Sequence, residues 1–512
     1  MRPATYRALA AIAAGGVLLA APGPALAARP ALRARPALRA RLATAGSANW
    51  PAYLNGSAHS SYNPAQKAIR PGNVSRLVVA WRFRGDQATR PGQPRRGFLS
   101  SPTVVGNAVY IGADTGWFYK LSVSTGAVLA RRFIGYQPPK TCAPRGFVAT
   151  ATVAVDRSTG IRMVYIDGAN GYLYALRASN LSVAWRSVIA RPSGRVSDYL
   201  QWSSPTVARG LIYVGISSNC DHPLVPGGLV SFDQRTGRRI ARFYSLPRGQ
   251  AGGSVWSSAA VGANHDVYVT TGNAARGPVD PPYSDSIVAL NPRTLRLVAA
   301  FSVPRYQVIP DGDFGASPTM FGRYVGGCDK NGIFYAVNAG TLWYVWSRWI
   351  GAPAGHGVSN CSSGAAYDGR SLYIGGDAIT IGGRRYRGSI QRLDPATGGV
   401  LWRTGLPNGV IGTPTLDGAG ALAVGTYDFS RTPNAVYLVD AVTGRILRTL
   451  IRGSYDFAQS VFADGRLFTA NGSGVYAWRL RPAGRRRRVT VGPGGDRRAG
   501  PRAARRLIAA LG

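Results

Sequence analysis

The chain has 512 residues, 45% of them hydrophobic, and a formal net charge of +39. That is ample material for a core and too apolar for a disordered chain. All 22 acidic residues are Asp and none is Glu. Asp favours turns and caps whereas Glu favours helices, so the composition excludes a surface of helices and points to β structure.

The N-terminus reads as an export signal over residues 1–27. Arg2 and Arg7 give a positive start, Ala8 to Ala20 a short apolar stretch, and Ala25-Leu26-Ala27 small residues for cleavage. The chain is therefore expected to be secreted, to the periplasm or beyond. The apolar stretch is too short to span a bilayer, and no later segment is long enough. No Cys follows the cleavage site, so no lipid anchor is expected.

Residues 28–48 carry the sequence Arg-Pro-Ala-Leu-Arg-Ala twice and read as a basic disordered linker; residues 481–512, with Arg485-Arg486-Arg487-Arg488, read as a disordered Arg-rich tail. Basic tails bind polyanions. Lys occurs only at Lys67, Lys120, Lys140 and Lys330, so a bias toward Arg codons explains much of the charge. For an exported chain nucleic acid is not the expected partner; weak affinity for anionic cell-surface polymers is.

Between the tails, residues 49–480 are repetitive. Ser101-Pro102-Thr103-Val104-Val105 leads to Val109-Tyr110-Ile111-Gly112, then Trp117-Phe118-Tyr119-Lys120-Leu121 and Ser124-Thr125-Gly126. The same grammar returns at Val164-Tyr165-Ile166 with a closing Trp185, and at Ser204-Pro205-Thr206-Val207 with Thr236-Gly237. Further copies begin near Ser257, Ser317, Gly364, Thr413 and Ser460. These are eight units at a spacing of roughly fifty residues, each reading as four short strands. One such sheet cannot bury both faces, so the units must pack around an axis as an all-β, eight-bladed β-propeller of four-stranded antiparallel blades. Leu77 to Phe83 is a strand without a unit, and the last unit ends early at Val475-Tyr476-Ala477-Trp478. Pairing the two would close the ring and remove its open edges.

Four cysteines in an exported chain predict two disulfides. Three connectivities are possible. Cys142 and Cys361 each precede the innermost strand of a unit, and Cys220 and Cys328 each follow a second strand, so Cys142–Cys220 and Cys328–Cys361 are the expected pairs. No Cys-x-x-Cys-His occurs, so no haem is expected on the chain. His59, His222, His265 and His356 are far apart without zinc-type spacing and read as solvated loop residues. No nucleophile elbow, phosphate loop or dinucleotide fingerprint is present in a strand–helix context.

The repeats resemble those of pyrroloquinoline quinone (PQQ) enzymes from about Trp50 to Leu480. The opening segment, Asn49-Trp50-Pro51-Ala52-Tyr53 with Ser61-Tyr62-Asn63-Pro64, Ile69, Pro71, Asn73-Val74 and Ala80-Trp81-Arg82-Phe83, is similar to the start of quinoprotein alcohol dehydrogenases. The short, haem-free layout most resembles the polyvinyl-alcohol-dehydrogenase-like branch. A non-catalytic branch, the propeller lipoprotein of outer-membrane protein assembly, shares the repeat, so the repeat alone does not fix the function.

The resemblance implies a site. PQQ is a flat ortho-quinone with three carboxylates; it needs a ring to stack on, cations, a metal at its reactive carbonyl and a base for the alcohol proton. Trp256 resembles the family's stacking Trp, and it opens a unit rather than closing one. Asn273, in Thr271-Gly272-Asn273, resembles an amide ligand to calcium. Asp221 stands where the family has Glu. Arg145-Gly146 resembles a quinone-contacting pair, without the two adjacent cysteines that precede it in the family. Asp313 matches the catalytic Asp and third metal ligand, with Asp311 as its competitor; beside calcium such a carboxylate would stay ionised. Lys330, in Asp329-Lys330-Asn331-Gly332, resembles the cation that bonds the quinone.

These matches imply a PQQ- and calcium-dependent dehydrogenase of a small-molecule or polymeric alcohol, passing electrons to a separate acceptor. The alternative is a binding or assembly propeller that has lost the cofactor.

Overall fold

The computed structural model describes residues 48–86, 97–137, 146–190, 197–274, 282–352, 361–428, 434–452, 454 and 456–482. All of these belong to one compact unit, Ala45–Gly512. Arg145, Cys142 and both tails lie outside the described residues.

The unit is an eight-bladed β-propeller. Blades one to seven span residues 103–133, 152–188, 206–244, 260–302, 319–349, 365–406 and 415–452. Blade eight takes Val461–Ala463, Arg466–Asn471 and Gly474–Leu480 from the end of the repeats. Its outermost strand is Leu77–Phe83, with Val79 opposite Trp478 and Phe83 opposite Val475. The ring closes as the orphan strand and the truncated last unit require.

Two blades depart from the plain four-stranded plan. Blade six carries an extra hairpin, Ile379–Ile381 with Arg384–Tyr386. Blade seven gains the strand Tyr62–Asn63, which pairs in parallel with Thr415–Asp417.

The repeat grammar has a local cause. In blade three Asp233 Oδ1 accepts bonds from the Arg235 and Thr236 backbone N–H groups and from the Thr236 hydroxyl. Asp394 and Asp440 do the same in blades six and seven with their own backbone N–H groups. The short Asp side chain reaches these groups, which is where the Glu-free composition is used. The glycine that follows has positive φ, +71° at Gly237, +67° at Gly398 and +74° at Gly444. Trp185, Trp346 and Trp402 of the preceding blades lie on these three glycines, and Trp81 of the closing strand lies on Gly126. The indole N–H of Trp402 donates to Ala441 O at 3.1 Å and that of Trp81 to Val123 O at 2.9 Å.

Eight buried apolar clusters lie between consecutive blades; the one holding Trp50, Val109, Tyr119, Val461 and Phe468 joins blade eight to blade one. Around the axis a belt of side-chain hydroxyls links the innermost strands. Ser101 N donates to Thr150 Oγ1, Thr150 N to Ser204 Oγ, Ser204 N to Ser258 Oγ and Ser258 N to Ser317 Oγ, at 2.8–2.9 Å.

Residues 48–63 form a strap across one end of the ring. Its carbonyls accept bonds from Val104, Val153, Val261, Met320, Tyr367 and Leu416, in six different blades. His59 lies inside this strap, 1% exposed, with Nδ1 2.9 Å from Pro318 O. The expectation of a solvated loop histidine is therefore wrong for His59, because the strap places it under the ring.

Cys328 and Cys361 form a disulfide between blade five and the start of blade six, with Cα atoms 4.9 Å apart. Cys220 is also disulfide-bonded, and its expected partner Cys142 lies outside the described residues.

Candidate functional site

The innermost strands all run away from the end of the ring opposite the strap. The residues just ahead of them, and the turns between second and third strands, therefore collect at that end. Asp221 lies in such a turn of blade three, Asn273 in blade four and Lys330 in blade five; Trp256 and Asp313 precede the innermost strands of blades four and five.

Asp313, Lys330, Asp311 and Trp256 are in direct contact. The Trp256 indole N–H donates to Asp313 Oδ1 at 3.0 Å, and Lys330 Nζ donates to Asp313 Oδ2 at 2.7 Å. Lys330 Nζ also lies 3.3 Å from Asp311 Oδ2 and 5.8 Å from the centre of the Trp256 ring. The backbone adds a further tie, from Lys330 N to Asp313 O at 3.0 Å.

Burial pushes the Asp313 carboxyl up to about 7; Lys330 pulls against this, while Asp311 and Asp329 add to it. Burial thus outweighs the single ammonium. Burial also works against the charge on Lys330, but Asp313 and Asp311 outweigh it and hold the ammonium above the usual lysine range. Asp221 is raised by burial, lowered by Lys330 and raised by Asp311, so it faces the same group of charges. Cys220 and Asp221 both adopt positive φ, +53° and +58°, an unusual backbone for two consecutive non-glycine residues.

Asn273 is tied to the segment carrying Trp256 through its carbonyl, which accepts from Gly253 N at 2.7 Å. A Cβ built on the preceding Gly272 would lie 3.5 Å from Asp313 Cβ. Asn273 is thus a neighbour of the cluster rather than a direct partner. Arg145 lies outside the described residues.

Two residues of this end were not found from the sequence. Trp202 packs edge-on to Trp256, with ring centres 6.3 Å apart, and Phe457 of blade eight lies 6.1 Å from Trp202. The signal was present. Trp202-Ser203-Ser204 and Trp256-Ser257-Ser258 occupy the same register in consecutive blades. Behind Lys330 the buried Asp329 is hydrogen-bonded to Asp285, and burial raises it.

The donor chemistry suits a flat anionic quinone: an indole fixed through its N–H, an ammonium beside it and a buried carboxyl. It suits calcium less well. Both Asp313 oxygens are already engaged, and among the described residues no group of three or more His, Cys, Asp or Glu is placed to hold a metal. Asp221 and Asn273 fall short of the six to eight oxygens calcium takes.

The sequence profile of the glucose/ethanol/alcohol dehydrogenase β-propeller domain matches residues 50–354, and the chain belongs to that family. A second profile, outer membrane protein assembly factor BamB, matches residues 330–481.

The dehydrogenase subunit of the quinone alcohol dehydrogenase of Gluconobacter oxydans (strain 621H) is 26% identical over 349 residues, 57% of this chain and 43% of that protein. Polyvinylalcohol dehydrogenase of a Pseudomonas species is 24% identical over 381 residues, 65% of this chain and 55% of that protein. The chain thus spans about half the length of these curated relatives. Among solved structures, a quinohemoprotein alcohol dehydrogenase of Pseudomonas putida HK5 superposes with a TM-score of 0.67 at 17% identity, covering 89% of this chain and 82% of that one. At that identity the likeness is one of fold.

Proposed function

We propose that this protein is a secreted PQQ-dependent dehydrogenase that oxidises an alcohol and passes the electrons to a separate acceptor. The observation that carries the reading is the contact of Trp256, at the start of blade four, with Asp313 and Lys330 of blade five on one rim of the ring. Family membership and the alcohol dehydrogenases among its relatives support it. The quinone, when bound, supplies the hydride acceptor. Trp256 offers the ring to stack on, and its N–H bond to Asp313 fixes the plane. Lys330, with Arg145, supplies positive charge for the quinone oxygens and carboxylates.

Asp313 is the base, with Asp311 also beside Lys330. A carboxylate has about four lone-pair sites, and Trp256 and Lys330 use two of them, so Asp313 can still accept the hydroxyl proton of an alcohol. Lys330 keeps that carboxyl ionisable despite its burial. If calcium is used, Asp221, Asn273 and Asp313 are its residues, and the quinone and water must complete the shell. The chain carries no haem in this reading, and the signal at residues 1–27 directs export. The alcohol is small or polymeric.

The test is to mix the purified chain with PQQ, with and without calcium, and record the absorbance spectrum and dye-linked alcohol oxidation. Wild type should bind the quinone and turn over; Asp313→Asn should bind it and fail to turn over. A second reading, a binding or assembly propeller without cofactor, is favoured by the match of residues 330–481 to the assembly factor and by Asp221 in place of Glu. Failure of the wild-type chain to bind PQQ under either condition overturns the first reading and leaves the second.

A further inference from the structure

Below the rim cluster lies an axial cavity of about 80 Å³, lined by Trp202, Trp256 and Phe457 toward one end and by Tyr53 of the strap toward the other. Between them it is walled by hydroxyls from the innermost strands, and it has no charged lining residue. The hydroxyls of Ser101, Thr150, Ser204 and Ser258 each accept a backbone N–H from the neighbouring blade, as do those of Ser317 and Thr413. A hydroxyl also has a proton to give. The Tyr53 hydroxyl is hydrogen-bonded to Thr413 and Ser317. The hydroxyls of Ser101, Thr150, Ser204 and Ser258 meet no acceptor among the described residues. Ser362 Oγ, buried on the same cavity, has no hydrogen-bond partner among the described residues.

Five buried hydroxyl protons from five blades thus converge on one axis without an acceptor. A buried donor left unpaired costs its desolvation without return, so the arrangement calls for a ligand that accepts. A monoatomic anion only accepts, and it takes several donors at once. A water molecule also accepts, but it brings two protons of its own to place. The backbone N–H groups near the axis are already spent on the hydroxyls, which leaves the hydroxyl protons as the available donors. The space exceeds the ~30 Å³ share of one water in the liquid.

We propose that the axial cavity is a halide site, in which Ser101, Thr150, Ser204, Ser258 and Ser362 donate to a chloride-class anion held on the propeller axis. The site borders the rim cluster, since Trp256 lines it, but none of its hydroxyl donors belongs to that cluster, so it does not depend on the quinone reading.

The experiment uses the full chain exchanged into sodium gluconate and titrated with sodium bromide at constant ionic strength, with thermal unfolding as readout. Crystals grown in bromide are examined for anomalous scattering. A saturable rise in melting temperature and an anomalous peak on the axis are expected. Ser362→Ala removes a donor that takes no part in the belt, so it should fold normally and weaken the bromide response several-fold. Equal melting in gluconate and bromide, with no axial peak, means that water alone satisfies the hydroxyls and overturns the proposal. A bromide response unchanged in Ser362→Ala and in Ser204→Ala places the ion elsewhere and overturns it equally.

Discussion

Lys330 Nζ donates to the Asp313 carboxylate at 2.7 Å, with the lysine side chain 18% exposed and the aspartate 4%. The pair is buried enough that neither member tolerates loss of the other. Lys330→Met should cost about 3 kcal/mol of stability, because it strands a buried carboxyl. In an Asp313→Asn background the same change should cost roughly 1 kcal/mol, because the stranded charge is gone. Urea unfolding of the four proteins in this cycle measures the difference. Equal costs in both backgrounds would mean that the two side chains do not interact.

Much of this was legible in the sequence, for reasons that particular residues make plain. Asp233 to Gly237 and Asp394 to Gly398 announce blades because the turn needs a short carboxylate and a positive φ at fixed offsets. Leu77 to Phe83 announced ring closure because it was a strand with nothing local to pair with. Asp313, Lys330 and Trp256 were legible as chemistry, but their contact depends on how the ends of blades four and five converge, which no local pattern encodes. The strap was invisible because it binds through main-chain carbonyls, which any residues supply, and His59 was misjudged for that reason. The hairpin from Ile379 to Tyr386 has Gly382-Gly383 at its turn, a readable signal that the regular four-strand repeat masked.

The Trp-on-Gly contact can be tested against a natural control. A Cβ at Gly237 would lie 2.5 Å from the Trp185 ring, and φ there is +71°. Gly160, in the turn between the first and second strands of blade two, has a similar φ of +70° and nothing within 4 Å. Both alanine variants lose the backbone freedom of glycine, about 1–2 kcal/mol. Only Gly237→Ala also displaces an indole, so it should cost about 2 kcal/mol more. Chemical denaturation of the two variants gives the comparison.

The Cys328–Cys361 bridge closes 33 residues of separation between blades five and six, and both cysteines are fully buried. By the chain-entropy relation, losing it should cost about 3–4 kcal/mol. Cys361→Ser should show that loss in unfolding curves. Native wild-type protein should react with no thiol reagent at Cys328 or Cys361 until it is unfolded and reduced. A free thiol at either position in the oxidised protein would refute the pairing.

His59 gives the strap a pH dependence of definite sign. Burial lowers its pKa to about 4, against the bond to Pro318 O, which raises it. In the unfolded chain His titrates near 6.5. As pH falls through about 6.5, the unfolded chain takes up a proton that the folded chain refuses, so stability drops between roughly pH 6.5 and 4 and levels off below. The full effect is on the order of 3 kcal/mol. The buried carboxyls run the other way. Asp313 and Asp417 are raised to about 7 and Asp377 to about 8, each chiefly by burial, so each favours the fold at low pH and loses that contribution as pH rises. The wild-type curve is the sum of these opposed slopes and does not isolate His59. The difference between wild type and His59→Asn does, because the carboxyls cancel. That difference should favour wild type near pH 7.5 and shrink steadily toward pH 4. A difference independent of pH would show that His59 titrates normally and that the strap does not bury it.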